Sequence, residues 1–283
     1  MYNIKYISNN GNTIVFGLKT DCIIATMDGI TGYGVNISTS QGFAQTGVSI
    51  SNLAVGGQSI NIRGYVLNNQ NEAKKELLSV FAPLSSGVLW WEDKYWLPVA
   101  VKSAPEIAQT DWARFSISLF APYPFWRGKD AIHRIVGRVI PAFRFPINYS
   151  VPHRFGTTDI NSAINCFVNG NLETDFRITF TAKGDSVVNP ALVNLKNGKS
   201  TSFAITLEPG DSISMFREDG ALHVVREVDS LESNAFDALD DTSELFSLLP
   251  GDNPLRIDAK SGKIEMSADI IYYDVYAGVY NGM

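Results

Sequence analysis

Ala113-Arg114-Phe115-Ser116-Ile117-Ser118-Leu119-Phe120-Ala121-Pro122-Tyr123-Pro124-Phe125-Trp126-Arg127-Gly128 changes character halfway along. Ala113, Phe115, Ile117 and Leu119 fall on one side of an extended chain, with Arg114, Ser116 and Ser118 on the other. That period-two alternation is the mark of a half-buried β-strand. Two prolines and a glycine then break the ladder, because proline has no N–H to give it. The stretch therefore reads as a strand followed by a domain boundary.

Upstream, the same alternation recurs in Gly47-Val48-Ser49-Ile50-Ser51 and in Ser59-Ile60-Asn61-Ile62-Arg63, predicting two more half-buried strands. Trp90-Trp91-Glu92-Asp93-Lys94-Tyr95-Trp96 reads as two strand ends around a short polar turn. A helix is predicted over 71–78, where Asn71 can cap a run of strong helix formers and Pro83 ends it. Downstream, 129–158 mixes arginines with Pro141, Pro146 and Pro152 and reads as an extended connector, open to pairing in part with either domain. Strand patterning then resumes, with Phe176, Ile178 and Phe180 alternating with Arg177, Thr179 and Thr181. Further strands are predicted near 201–207, 212–216, 222–225, 255–258 and 268–280, punctuated by turns such as Asn197-Gly198 and Pro209-Gly210-Asp211. Many short strands and little helix predict an all-β protein with one short helix, its second half a jelly-roll or related β-sandwich. A chain of 283 residues, at about 150 per domain, divides into roughly two. The expected divisions are a β domain at 1–128, a connector at 129–158 and a sandwich at 159–283.

Charge narrows the function. Through Trp126 there are 8 basic and 8 acidic residues; beyond it there are 15 and 21, so the net −6 sits in the second half. Neither half has the basic excess with which a sequence-independent nucleic-acid binder displaces phosphate counterions. The longest apolar stretches fall far short of the roughly 18 residues of a membrane span, so no membrane partner is expected. Met1-Tyr2-Asn3-Ile4-Lys5 lacks the charged-then-apolar order of a signal peptide, and secretion by that route is not expected either. Cys22 and Cys166 lie far apart and read as free, buried thiols of a reducing compartment.

Enzyme signatures are weak. Asn197-Gly198-Lys199-Ser200 ends like a phosphate-binding loop but lacks the first glycine, which would fall at Val193. Gly32-Tyr33-Gly34 lacks the third glycine of a dinucleotide site. His133, His153 and His223 are never three or four residues apart, so no helical zinc pair exists. Asp237, Asp240, Asp241 and Glu244 cluster in sequence, whereas glycosidase carboxylates must face each other across a cleft. No catalytic residue, metal or cofactor is assigned. All five tryptophans, Trp90, Trp91, Trp96, Trp112 and Trp126, lie in the first half. One stripe in the second half qualifies as a partner or ligand surface: Tyr272, Tyr276 and Tyr280, sharing a strand face with Asp274.

The strand running into Phe120-Ala121-Pro122-Tyr123-Pro124-Phe125-Trp126 resembles the end of the N-terminal domain of the distal tail (Dit) proteins of siphophages infecting Gram-positive bacteria. The helix near Glu72 to Leu78, the Trp-rich hairpin and Tyr95-Trp96-Leu97-Pro98-Val99 fit the same family. So do Asn189-Pro190-Ala191-Leu192, Leu207-Glu208-Pro209-Gly210-Asp211-Ser212-Ile213 and Leu248-Leu249-Pro250-Gly251-Asp252-Asn253-Pro254. The connector at 129–158 has no residue-by-residue match. The resemblance implies a non-enzymatic building block of a phage or prophage tail, assembled in the bacterial cytoplasm. Its N-terminal domain would form a homo-hexameric ring at the distal end of the tail tube. Its C-terminal domain would be a galectin-like or carbohydrate-module-like sandwich pointing outward. Implied partners are other copies of itself, the tail tube protein and tail-tip or receptor-binding proteins, with DNA passing through an axial channel without specific binding. Two other readings stand beside it: a host-wall saccharide-binding module in the second half, and a glycan-degrading enzyme using Asp240, Asp241 and Glu244.

Overall fold

A computed structural model describes residues 3–17, 19–108, 113–137, 139–141, 156–158, 163–218 and 220–279. Its chain divides into two compact units: one runs up to Lys129 and resumes at Val275, the other is Asp130–Asp274.

The first unit begins with β1 (Ile4–Ser8), β2 (Thr13–Phe16) and β3 (Cys22–Asp28). It continues through β4 (Val35–Ser40), β5 (Ser49–Val55) and β6 (Gln58–Val66). Helix α1 (Gln70–Val80) and then β7 (Ser86–Trp91), β8 (Tyr95–Ile107), β9 (Arg114–Ala121) and β10 (Trp126–Gly128) complete its first stretch. An antiparallel sheet in the order β2-β1-β7-β8-β9-β6-β3 forms the frame, with β10 beside β8. The alternation in β9 lands as its sequence predicts, with Phe115, Ile117 and Leu119 buried. The Trp-rich segment is the β7–β8 hairpin, turned by Glu92 and Asp93, which both take φ 52.

Helix α1 buries Ala73, Leu77 and Val80, an i, i+4, i+7 stripe laid on the sheet. It starts earlier than predicted: Asn69 caps it in the left-handed region without a side-chain cap bond, and Asn71 lies within the helix. The Asn69 side chain reaches toward Asp21 instead, Nδ2 donating to Oδ2 at 3.4 Å. Phe81 ends the helix two residues before Pro83 and stacks on Tyr6 at 4.5 Å, filling the core with Phe16, Phe115, Trp91 and Trp126.

One strand of this unit is distant in sequence. Val275–Tyr276 pairs antiparallel with β10, Trp126 opposite Tyr276 and Arg127 opposite Val275, and Val279 joins the same core. The sequence reading put these residues in the second domain, as part of one strand over 268–280. That strand breaks at Tyr273 and Asp274.

The second unit holds β11 (Ile132–Val136), β12 (Val139–Pro141), β13 (Gly156–Thr158) and β14 (Ile164–Asn165). Next come β15 (Phe176–Ala182), β16 (Val187–Asn194), β17 (Ser200–Ser202) and β18 (Thr206–Leu207). The last are β19 (Ser212–Glu218), β20 (Ala221–Val228), β21 (Leu231–Asn234), β22 (Pro254–Ser261) and β23 (Met266–Tyr272). One sheet runs β11-β23-β15-β19-β20-β21; the other runs β14-β22-β16-β17, with β18 on β16. They sandwich one core, in which Phe180 of the first sheet meets Phe203 edge-on at 6.0 Å. Part of the expected connector is therefore sheet: β11 pairs with β23 over five residue pairs. Arg138, Arg144, Pro146, Pro152 and Arg154 lie outside the described residues.

Leu77 has no exposed surface and sits between α1 and the sheet. Leu77→Ala is expected to cost about 2–5 kcal/mol through lost burial and the cavity left behind. Urea unfolding followed by tryptophan fluorescence, which reports this unit because all five tryptophans lie between residues 90 and 126, measures it.

Candidate assembly surface

The pattern Gly47-Val48-Ser49-Ile50-Ser51 predicts a half-buried strand, and here the structure corrects the sequence. Among the described residues β4 and β5 pair only with each other, as a two-stranded ribbon, and each of their residues is exposed. Their register places Val35 opposite Val55, Ile37 opposite Leu53 and Thr39 opposite Ile50. Because side chains alternate along a strand, these six residues share one face. The other face carries Asn36, Ser38, Ser40, Ser49, Asn52 and Ala54. Ser51 sits in a β-bulge and donates its hydroxyl to the Ser38 carbonyl at 3.1 Å. The ribbon is thus amphipathic, yet among the described residues its apolar face stays exposed: Ile37 is 57% and Leu53 59% exposed. At the tip, Phe43 stands fully in solvent.

Two necks fix where this arm leaves the sheet. On the way in, the Trp126 indole N–H donates to the Ile30 carbonyl at 3.2 Å. Tyr33 sets its ring edge-on to Phe125 at 4.9 Å, and Phe125 meets Tyr123 in the same way. On the way out, Gly57 passes so close to the sheet that a Cβ would lie 2.3 Å from Phe120 Cζ and 3.0 Å from the Ala121 carbonyl oxygen. The Pro-rich stop after β9 therefore has a second task, holding the root of the arm. An isolated two-stranded hairpin is at best marginally stable in water, and an exposed apolar face of this kind marks a surface that works by being covered.

Tyr272 and Tyr276 do not lie on one strand. Tyr272 is buried in the second unit at 1% exposure, its hydroxyl donating to the Phe167 carbonyl at 2.9 Å and its pKa pushed up to about 12, chiefly by burial. Tyr276 belongs to the first unit and packs edge-on against Tyr95 at 5.0 Å. Tyr280 lies outside the described residues, as do Trp112 and His153.

The acidic cluster forms a turn. Leu239 bridges Phe203, Asp240 N–H donates to the Ser202 carbonyl and Glu244 N–H to the Ser200 carbonyl, so the segment runs along β17. The Thr242 hydroxyl and then its backbone N–H donate to Asp240 Oδ1 and hold that carboxyl below its usual range. A general acid needs the opposite shift. Asn197 makes a turn too, its side-chain oxygen accepting from Lys199 N–H at 3.0 Å. Both cysteines are free and buried, one in each unit; burial pushes each thiol up to about 11, so neither is a thiolate at neutral pH. In the first unit, an open cleft of about 620 Å³ is lined by Arg63, Tyr65, Glu106, Ile107 and Arg114 among others. Among its described lining residues Glu106 is the one carboxylate, half of what a two-carboxylate hydrolase needs. No described group of three or more His, Cys, Asp or Glu is placed to hold a metal, and no described helix is long and apolar enough to cross a membrane.

No protein-family model and no curated protein matches the chain. Solved structures do. The SPP1 Dit protein, a hub adsorption apparatus in phages that infect Gram-positive bacteria, superposes with a TM-score of 0.66 at 10% identity, over 97% of this chain and 99% of that one. The fold is that of the SPP1 Dit protein. A chain of the phage P2 baseplate in its activated, calcium-bound conformation gives a TM-score of 0.50 at 11% identity, over 99% of this chain and 100% of that one. An all-β, Dit-like architecture spanning both units is therefore shared with these structures.

Asp240 supplies a pH prediction. Its folded-state pKa lies below the unfolded value, so its contribution to stability is present above the unfolded value and is lost as pH falls through the folded one. Thr242→Val removes the hydroxyl donor and is expected to raise the Asp240 pKa, read as a rightward shift of its carboxyl carbon titration by NMR.

Proposed function

We propose that this protein is a structural hub of a phage or prophage tail, self-assembling into a ring through the arm of its first unit. The amphipathic ribbon at 35–55 carries this reading, because its apolar face is complete and uncovered. A ring requires a heterologous contact, in which one patch of each copy meets a different patch of the next. An arm that projects from the sheet on two fixed necks supplies one of those patches. The first half is charge-balanced and residues 35–55 contain no charged side chain, so like-charge repulsion does not oppose close approach of copies. The Dit-like fold supports the same reading, with the ring linking tail tube to tail-tip proteins and leaving an axial passage for DNA in the virion. A hexamer is the stoichiometry this resemblance implies. The protein works by fitting to its neighbours and transforms no substrate. The saccharide reading is not advanced, since Tyr272 is buried in the second unit and Tyr276 packs in the first.

Sedimentation velocity over a concentration series tests the proposal. The wild-type chain is expected to form a discrete oligomer. Ile37→Asn combined with Leu53→Asn is expected to weaken association at least about tenfold, given roughly 1.5–3 kcal/mol for each buried aliphatic side chain. The same pair is expected to change folding stability by no more than about 0.5 kcal/mol per site, because neither residue is buried in its own chain. A monomer at every concentration, or an oligomer indifferent to both substitutions, contradicts the proposal.

A further inference from the structure

The arm's root is held by residues far away in sequence. Val275 is buried at 3% and pairs with Arg127, Tyr276 pairs with Trp126, and Val279 is buried at 3% in the first core. Between them, Gly278 crosses the entry neck of the arm. A Cβ on Gly278 would lie 2.7 Å from Thr31 Cγ2 and 3.4 Å from the Ile30 carbonyl oxygen, the same oxygen that accepts the Trp126 indole N–H. The neck at 30–33 is thus gripped from two sides: by Trp126 and Phe125 at the end of the sheet, and by the returning segment. Gly278 does not take a left-handed φ, so its lack of a side chain serves the close approach rather than the backbone.

We propose that the segment 275–279 is a brace that sets the direction in which the arm projects, with Gly278 and Thr31 as its contact point. The inference rests on the reading of the arm as the self-assembly element. The physical basis is leverage. Six residues of β4 extend about 20 Å at roughly 3.3 Å each, so a small displacement at the neck becomes a large one at Phe43. A ring closes only if each copy presents its arm at the same angle. Gly278 and Thr31 are positioning residues, and neither needs to touch the neighbouring copy.

The experiment uses the full chain carrying Gly278→Ala, Thr31→Ser and both together. In Gly278→Ala the new methyl meets Thr31 Cγ2 and displaces the neck; Thr31→Ser removes that methyl and makes room. Three readouts are taken: hydrogen exchange across 30–40, sedimentation velocity, and the tryptophan-monitored unfolding midpoint. Gly278→Ala is expected to speed exchange at the neck and weaken association about tenfold, with the unfolding midpoint nearly unmoved, and the double variant to return to within about twofold of wild type. Unchanged exchange in Gly278→Ala overturns the brace. So does an association loss that Thr31→Ser does not rescue, or one that merely follows a fall in the midpoint. If the wild-type chain does not self-associate, the assembly reading fails, while neck exchange in the same variants still decides whether the brace exists.

Discussion

Water facing the apolar side of a two-stranded ribbon is the constraint on which the rest turns. In each core the sheets have their apolar faces covered from within the chain. α1 and Phe81 close over the first sheet, and two sheets close over each other in the second unit. At β4 and β5 this stops, although the residues are as aliphatic as those of the cores. Burying an aliphatic side chain is worth about 1.5–3 kcal/mol, so five of them left half-exposed on one face form a standing bias toward association. A second molecule resolves that bias without any change inside the first.

The surroundings of the ribbon suit this role. Its necks are fixed by aromatic contacts and an indole hydrogen bond, so the ordering that association demands of the arm's base is already met within the chain. Its lack of charge leaves apolar burial and backbone pairing as the attractive terms, and an unpaired strand edge offers the second of these. The described candidates for chemistry do not converge in this way. The acidic cluster spends its hydrogen bonds on a turn, the thiols are protonated, and the histidine on β20 lies stacked on Phe216.

Strand content was legible wherever one face of a strand meets its own core. Phe115-Ser116-Ile117 and Phe176-Arg177-Ile178 alternate in sequence and are buried on alternate residues. Val48-Ser49-Ile50 has the same alternation as Ile60-Asn61-Ile62, yet the first is in solvent and the second in the core. Periodicity tells that a face will be covered and not by which molecule, so the arm could not be told from an ordinary strand. The sequence places Tyr272 and Tyr276 on one strand face for a related reason: period-two spacing assumes an unbroken strand, and the break at Tyr273 and Asp274 hands the chain from one unit to the other. Gly278 left no local signal, because its value lies in a contact with Thr31, hundreds of residues earlier in the chain.

Hydrogen–deuterium exchange of the wild-type protein, followed at residues 35–55 as concentration rises through the association range, tests the central claim most directly. Slowing at the arm that tracks the fraction of oligomer, with the core strands β7 and β9 unchanged, is the predicted result. An arm that exchanges as fast in the oligomer as in the monomer would place the contact elsewhere and contradict the account.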